Sequence, residues 1–268
     1  MVKESLKKIY IGLILIFLYS PILVLMIFSF NNSKSTSLWS GFTTQWYIEL
    51  FKDRMIMKSL YYTLSIAVLS TIISTIAGVF SAFGIFYMNA YRKKIMLNIN
   101  NLPVLNPDIV TGVAMMSLFV FLKNLTGLRF GFITLLMAHI TFSIPFVILS
   151  ILPKLKQMPK DIWNAAIDLG AKPLSAFVRV IIPEIKPGIV TGALIAFTMS
   201  IDDFVISYFT TGSGVTNLSI TIFSMARRGI NPKINALSTL MFLTIMVLIV
   251  FINKRQKDEK QKIMEVGK

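Results

Sequence analysis

Residues Gly188 to Gly212 read GIVTGALIAFTMSIDDFVISYFTTG, and the adjacent Asp202 and Asp203 are the only charges among them. No charge precedes the pair for fifteen residues or follows it for more than twenty. An apolar run of that length predicts a membrane-crossing helix. A carboxylate near the middle of such a helix costs about 2.5–3.5 kcal/mol on insertion scales, so a pair needs a compensating partner or a task. The chain carries 27 Lys and Arg against 12 Asp and Glu, so this negative charge was not placed for solubility. A cation is the natural counterpart.

The rest of the chain supports the same reading. Hydrophobic residues make up 55% of its 268 positions, too many for the core of one soluble domain of this size. The fold class expected is all-α, a polytopic membrane protein forming one domain over residues 1–268. Six spans are predicted: Ile9–Phe30, Ser59–Tyr91, Leu102–Leu122, Phe130–Leu152, Pro187–Phe209 and Ile234–Asn253. The first is too long for the apolar region of a signal peptide and lacks a small-residue cleavage site. The third opens with LPVLNPDIVTG, where Pro103 and Pro107 bracket a bend and Asp108 follows it near the cytoplasmic end.

Lys and Arg are distributed unevenly among the loops. With the amino end inside, 18 of them fall on the cytoplasmic side and 9 on the other. The excess places both termini in the cytoplasm, together with the 153–186 loop and the tail 254–268. It also explains the net charge of +15 through topology and anionic lipid headgroups, without nucleic acid as a partner.

Three carboxylates and an aromatic loop are the candidate substrate contacts. Asp108, Asp202 and Asp203 supply spaced negative charge. On a continuous helix Asp202 and Asp203 point about 100° apart, with Asp203 sharing a face with Ser200 and Ser207. One would then line a pathway and the other cap or bridge to a facing helix. Neutralisation of the pair by Arg227, Arg228 or a partner subunit is the structural alternative, and Asp108 could equally be an ordinary helix N-terminal residue. Trp46, in SLWSGFTTQWYIELFKD, belongs either to an interfacial aromatic belt or to an aromatic surface at the pore entrance that holds ammonium groups. His139 is the only histidine and no cysteine occurs, so no metal site is expected and His139 reads as a hydrogen-bonded packing residue. No GxxxxGK[ST] phosphate loop is present, nor any constellation expected of an enzyme.

Asp161 to Gly188 reads DIWNAAIDLGAKPLSAFVRVIIPEIKPG. It predicts a short helix from Asp161 to Leu169 stopped by Gly170, then a second begun near Pro173 and closed before Pro183. Such a unit has no core of its own and needs a partner protein. Asn164, Ala165 and Ala166, then Gly170, then Val180, Ile182 and Pro183 match in spacing the EAA loop of ABC-importer permeases, which the chain resembles. It departs at Asn164, where the family usually has glutamate. The resemblance implies that this loop is a coupling helix docking into a cleft of an ATPase subunit, Ala165, Ala166 and Gly170 allowing close approach.

Within that family, GFTTQWY from Gly41, NPDIVTG from Asn106, MSIDDFVISYFTTG from Met199 and INALSTL from Ile234 resemble the C-type permeases for spermidine and putrescine. What the resemblance implies is half of a translocation pathway for polyamines, flexible linear polycations suited to carboxylates and aromatic faces. The implied substrate pathway includes Asp202, Asp203, Asp108, Trp46 and Ser200. The implied partners are a homologous B-type permease, an ATPase dimer that uses the ATP and Mg, and an extracytoplasmic polyamine-binding protein. The chain itself would bind no cofactor. An ABC permease for phosphonate, iron or thiamine and a stand-alone secondary cation transporter are the alternatives.

Overall fold

The computed structural model describes residues 2–33, 38–159, 161–229 and 232–266, and among them the fold is helical throughout, with a single isolated antiparallel bridge between Asn31 and Phe42. The side chains of Lys3, Lys8, Lys34 and Lys160 and of the tail 254–268, which enter the charge balance, lie outside the described residues. The chain divides into two compact units, Met1–Lys58 with Thr221–Ile249, and Ser59–Ile220 with Val250–Lys268.

The first unit opens with α1 (Val2–Phe28), whose Tyr10–Phe28 stretch is strongly apolar and contains no fully buried residue. A helix of that kind is stable only in lipid or against other chains. The loop after α1 is organised by Asn31. Its side-chain oxygen accepts from the Ser33 and Ser40 backbone N–H groups, its amide donates to the Leu38 carbonyl, and its carbonyl accepts from the Trp46 indole at 2.7 Å. Trp46 and Leu50 fix the buried side of α2 (Gln45–Lys52). Lys233 pairs with Glu49 at 3.2 Å.

In the second unit, α3 (Arg54–Tyr87), which starts in the first, is followed by α4 (Ala90–Leu105), α5 (Asp108–Thr126) and α6 (Phe132–Gln157). Next come α7 (Ile162–Asp168), α8 (Pro173–Ala176), α9 (Ile182–Asp202), α10 (Val205–Thr210) and the start of α11 (Leu218–Arg227). The central helix is α6, packed on α4, α9 and α10. Its Val147 is wedged between two glycines: a Cβ at Gly78 of α3 would meet Val147 Cγ1 at 2.5 Å, and one at Gly192 of α9 would meet Val147 Cα at 3.1 Å. Glycine lets three helices close on one side chain, the means by which membrane helices pack where no hydrophobic force drives them together.

Three sequence expectations need correcting. The third span begins at Asp108, not Leu102, because α4 runs through Pro103 and ends at Leu105, leaving Asn106 and Pro107 extended. Pro107 has no N–H to continue a helix and holds the residue before it in extended conformation. The fifth span does not continue to Phe209: α9 ends at Asp202, Asp203 is extended (ψ 122°), and α10 starts afresh at Val205. Nor does Pro183 close a second loop helix. A π-helical turn, Phe177–Ile181, joins α8 to α9, widening the backbone just where the Pro183 ring would clash with the preceding turn.

Among the described residues, five helical segments are long and apolar enough to cross a membrane: Tyr10–Phe28, Arg54–Tyr87, Asp108–Thr126, Phe132–Gln157 and Pro173–Asp202. The predicted span Ile234–Asn253 falls within α12 (Pro232–Val266), of which the apolar part Pro232–Val247 is shorter than the other five.

Candidate acidic cavity

The break at Asp203–Phe204 and the residues on either side of the break at Asn106–Pro107, Val104 and Asp108, line one cavity of about 410 Å³. Its wall brings together Asp108, Asp202 and Asp203 with Phe142, Phe146 and Phe204. Irregular backbone inside a membrane is tolerated only where protein buries it or it lines a cavity, and discontinuous helices of this kind form the binding sites of many transporters.

The break after Asp202 is satisfied at both ends. The Asp203 carboxylate accepts from the backbone N–H groups of Ile206 (3.2 Å) and Ser207 (2.7 Å) and from the Ser207 hydroxyl (2.7 Å). It thereby supplies acceptors for the first turn of α10, the service an N-cap renders. On the other side, the freed Asp203 carbonyl accepts from Asn217 Nδ2 at 2.9 Å and the Asp202 carbonyl from Ser219 Oγ at 3.4 Å. The Thr134 hydroxyl on α6 donates to the Thr210 carbonyl, fastening the far end of α10.

Adjacent in sequence, the two aspartates have unlike surroundings. Asp203 is nearly enclosed, its side chain 9% exposed. Asp202 is exposed to the cavity, and beyond its own backbone N–H its carboxylate has no hydrogen-bond partner among the described residues. It feels the like charges of Asp203 and Asp108, and it ends α9, where the helix dipole adds further negative potential. Asp108 is exposed at the first turn of α5. Three acids at one cavity, with neither Arg nor Lys among the described residues of its wall, make a place for cationic charge.

The other predicted pathway residues sit elsewhere. Ser200 is 2% exposed and bonded to His139 and Ser70, so it stands behind the cavity wall. Trp46 belongs to the first unit, 7% exposed, its indole committed to Asn31; the exposed rings of its loop are Trp39, Phe42 and Phe51. Sequence reasoning missed the linking role of His139 and Asn217. No local signal marked His139, since on a continuous helix Ser200 and Ser207 lie two turns apart, beyond the span of one imidazole.

In the 153–186 loop, Asn164, Ala165 and Pro183 are exposed and Ala166, Val180 and Ile182 half-buried. Gly170 takes φ +84° and ends α7, with Ala171 N–H bonded to the Ala166 carbonyl and Gly170 N–H to that of Ile167. These two bonds form a Schellman closure, which a left-handed residue without Cβ completes at least cost. Trp163 anchors the inner face of α7 against Phe83 and Tyr87, at ring separations of 5.2 and 6.1 Å.

Comparison with known proteins agrees with this architecture. The profile of the family described as binding-protein-dependent transport system inner membrane component matches residues 74–255. The putrescine transport system permease protein PotI of Escherichia coli K12 is 37% identical over 255 residues, covering 93% of this chain and 90% of its own length. The spermidine/putrescine transport system permease protein PotC of the same organism is 32% identical over 250 residues, covering 93% of each. Among solved structures, a chain of a bacterial ABC transporter for the acidic polysaccharide alginate superposes with a TM-score of 0.72 over 96% of this chain and 95% of its own, at 17% identity. The MetNI methionine ABC transporter gives a TM-score of 0.59 over 77% of this chain and 98% of its own, also at 17% identity. At that identity the likeness speaks for the fold alone, whereas the profile match and the full-length relatives establish the family: this chain belongs to the binding-protein-dependent transport system inner membrane components.

Proposed function

We propose that this chain is one of two membrane subunits of an ATP-driven polyamine importer, forming half of the pathway through which spermidine or putrescine crosses the cytoplasmic membrane. The observation that carries the reading is the convergence of two broken helices on a cavity with three carboxylates and three phenylalanines. A polyamine offers ammonium groups separated by methylenes, which acids and aromatic faces can hold together. Asp202 and Asp108 receive the ammonium groups while Phe142, Phe146 and Phe204 line the space for the methylenes. The full-length likeness to permeases named for putrescine and spermidine supports the same substrate class.

The chain does no chemistry of its own. Energy comes from a separate ATPase dimer, which holds ATP and Mg and docks on the cytoplasmic loop through α7, where Leu169 is 90% exposed and Leu174 nearby is also bare. A homologous B-type permease completes the pathway and an extracytoplasmic binding protein delivers the polyamine. In this scheme the chain crosses the membrane six times, α12 contributing the last span, with both termini in the cytoplasm. Uptake of labelled putrescine and spermidine into proteoliposomes tests the reading: the complete complex should transport both only with ATP and this chain present. Transport of another substrate class with no response to polyamines would overturn it.

A further inference from the structure

His139 lies in the middle of α6, 1% exposed, and both of its ring nitrogens are engaged. Nδ1 is 2.6 Å from Ser200 Oγ, two residues before the end of α9, and Nε2 is 3.0 Å from Ser207 Oγ, in the first turn of α10. One imidazole therefore spans the break between the two helices. Ser207 has a single hydroxyl proton and gives it to Asp203 at 2.7 Å, so toward His139 it can only accept. Nε2 must carry the proton. Nδ1 then accepts from Ser200, whose oxygen accepts in turn from Ser70 on α3 at 3.2 Å. From Ser200 through His139 and Ser207 to Asp203 the bonds thus run in one direction, each group donating toward the buried carboxylate, while Ser70 shares its proton between Ser200 and the Ala67 carbonyl. The His139 ring also rests on Phe142, an aromatic face of the cavity, at 5.3 Å.

The spacing is selective, because Ser200 and Ser207 stay within reach of one ring only while the backbone between them is interrupted at Asp203. We propose that His139 is a positioning residue for transport: in its Nε2-protonated form it holds the break at Asp203 fixed, and by doing so keeps the Asp202 carboxylate presented to the cavity. This rests on the cavity being the polyamine pathway. His139 itself does not touch the substrate.

A cysteine placed at Thr111, in the cavity wall, reports the charge there, since the chain has no cysteine of its own. In the assembled complex, the rates at which a cationic and an anionic methanethiosulfonate of similar size label this chain are read by mass. With His139 present, the cationic reagent reacts faster. His139→Phe keeps a planar ring but removes both hydrogen bonds, and it lowers the cation preference and polyamine uptake by about tenfold or more, tenfold being the factor for one buried hydrogen bond. Ser207→Ala does the same, and the two changes together lose no more than either alone. His139→Gln, which can still donate from its terminal nitrogen, recovers part of both.

Unchanged cation preference in His139→Phe and Ser207→Ala overturns the proposal, and so does full additivity of the two. Where His139→Phe fails to assemble, Ser207→Ala decides alone, since it leaves the packing of α6 intact. The polyamine reading fails separately: if Asp202→Asn transports polyamines normally that reading falls, whereas a lost cation preference in His139→Phe still supports the clamp.

Discussion

Asp203 accepts twice from Ser207, from its backbone N–H and from its hydroxyl, each at 2.7 Å. A carboxylate so committed starts a helix, leaving its neighbour Asp202 as the acid open to the cavity. The two should therefore fail differently. Asp203→Ala removes the acceptors for the first turn of α10 and should cost about 1–2 kcal/mol of stability, seen as a lower unfolding temperature in detergent. Asp203→Asn, still able to cap, should lose much less. Asp202→Asn should unfold with the native chain yet take up polyamine at least about tenfold more slowly. Equal loss of stability in Asp202→Asn and Asp203→Ala would contradict this division.

Gly192→Leu should disrupt the second unit, because even its Cβ would lie 3.1 Å from Val147 Cα. Overpacking costs about 1–3 kcal/mol, and the helices would have to separate to admit the side chain. Less assembled complex at equal expression is the expected result. A companion change Val147→Ala should restore part of it by emptying the space on α6.

Trp163→Ala should weaken the attachment of α7 to α3. The ring contacts with Phe83 and Tyr87 contribute about 0.5–1.5 kcal/mol each beyond burial. The measurement is ATP hydrolysis by the complex with and without loaded binding protein, and the stimulated rate should fall more than the basal one. Gly170→Leu, forced into a left-handed backbone at φ +84°, should show the same pattern.

Trp46→Phe tests a different part of the chain. The substitution keeps most of the ring but removes the indole donor to the buried Asn31 carbonyl, at a cost of about 0.5–1.5 kcal/mol. Hydrogen exchange across residues 38–52 should quicken, while the cation preference of the cavity at Thr111 stays as it was.

A single cysteine at Ser175 should be protected from impermeant thiol reagents applied outside intact cells, and should react once the membrane is opened. Labelling from outside would reverse the orientation derived from the Lys and Arg balance.

Five of the apolar segments were legible because a run too long for a soluble core leaves little choice of structure. The breaks were not. Nothing in the hydropathy of MSIDDFVISYFTTG separates a continuous helix from two, since Asp203 can point from a helix as readily as cap a new one. The choice is made by residues remote in sequence, Asn217 and His139, which satisfy what the break exposes. Pro103 and Pro107 did mark a bend, but a proline inside α4 and one at the start of α5 look alike until a neighbouring helix fixes which is accommodated. Ser200 was expected on the pathway from its face on an ideal helix, and His139 draws it behind the wall instead. Trp46 left two readings open because its environment depends on Asn31, fifteen residues away and silent in any local pattern.

The π-helical turn at Phe177–Ile181 has a mechanical meaning. Because it lets the chain pass Pro183 without stopping, Pro173 to Asp202 is one unbroken 30-residue strut, about 45 Å long at helical rise, with the loop that carries α7 at one end and a cavity acid at the other. Axial stiffness carries a displacement along such a strut undiminished. A displacement at the loop end would reach Asp202 along this strut, and the His139 bridge from Ser200 to Ser207 would carry it across the break to α10.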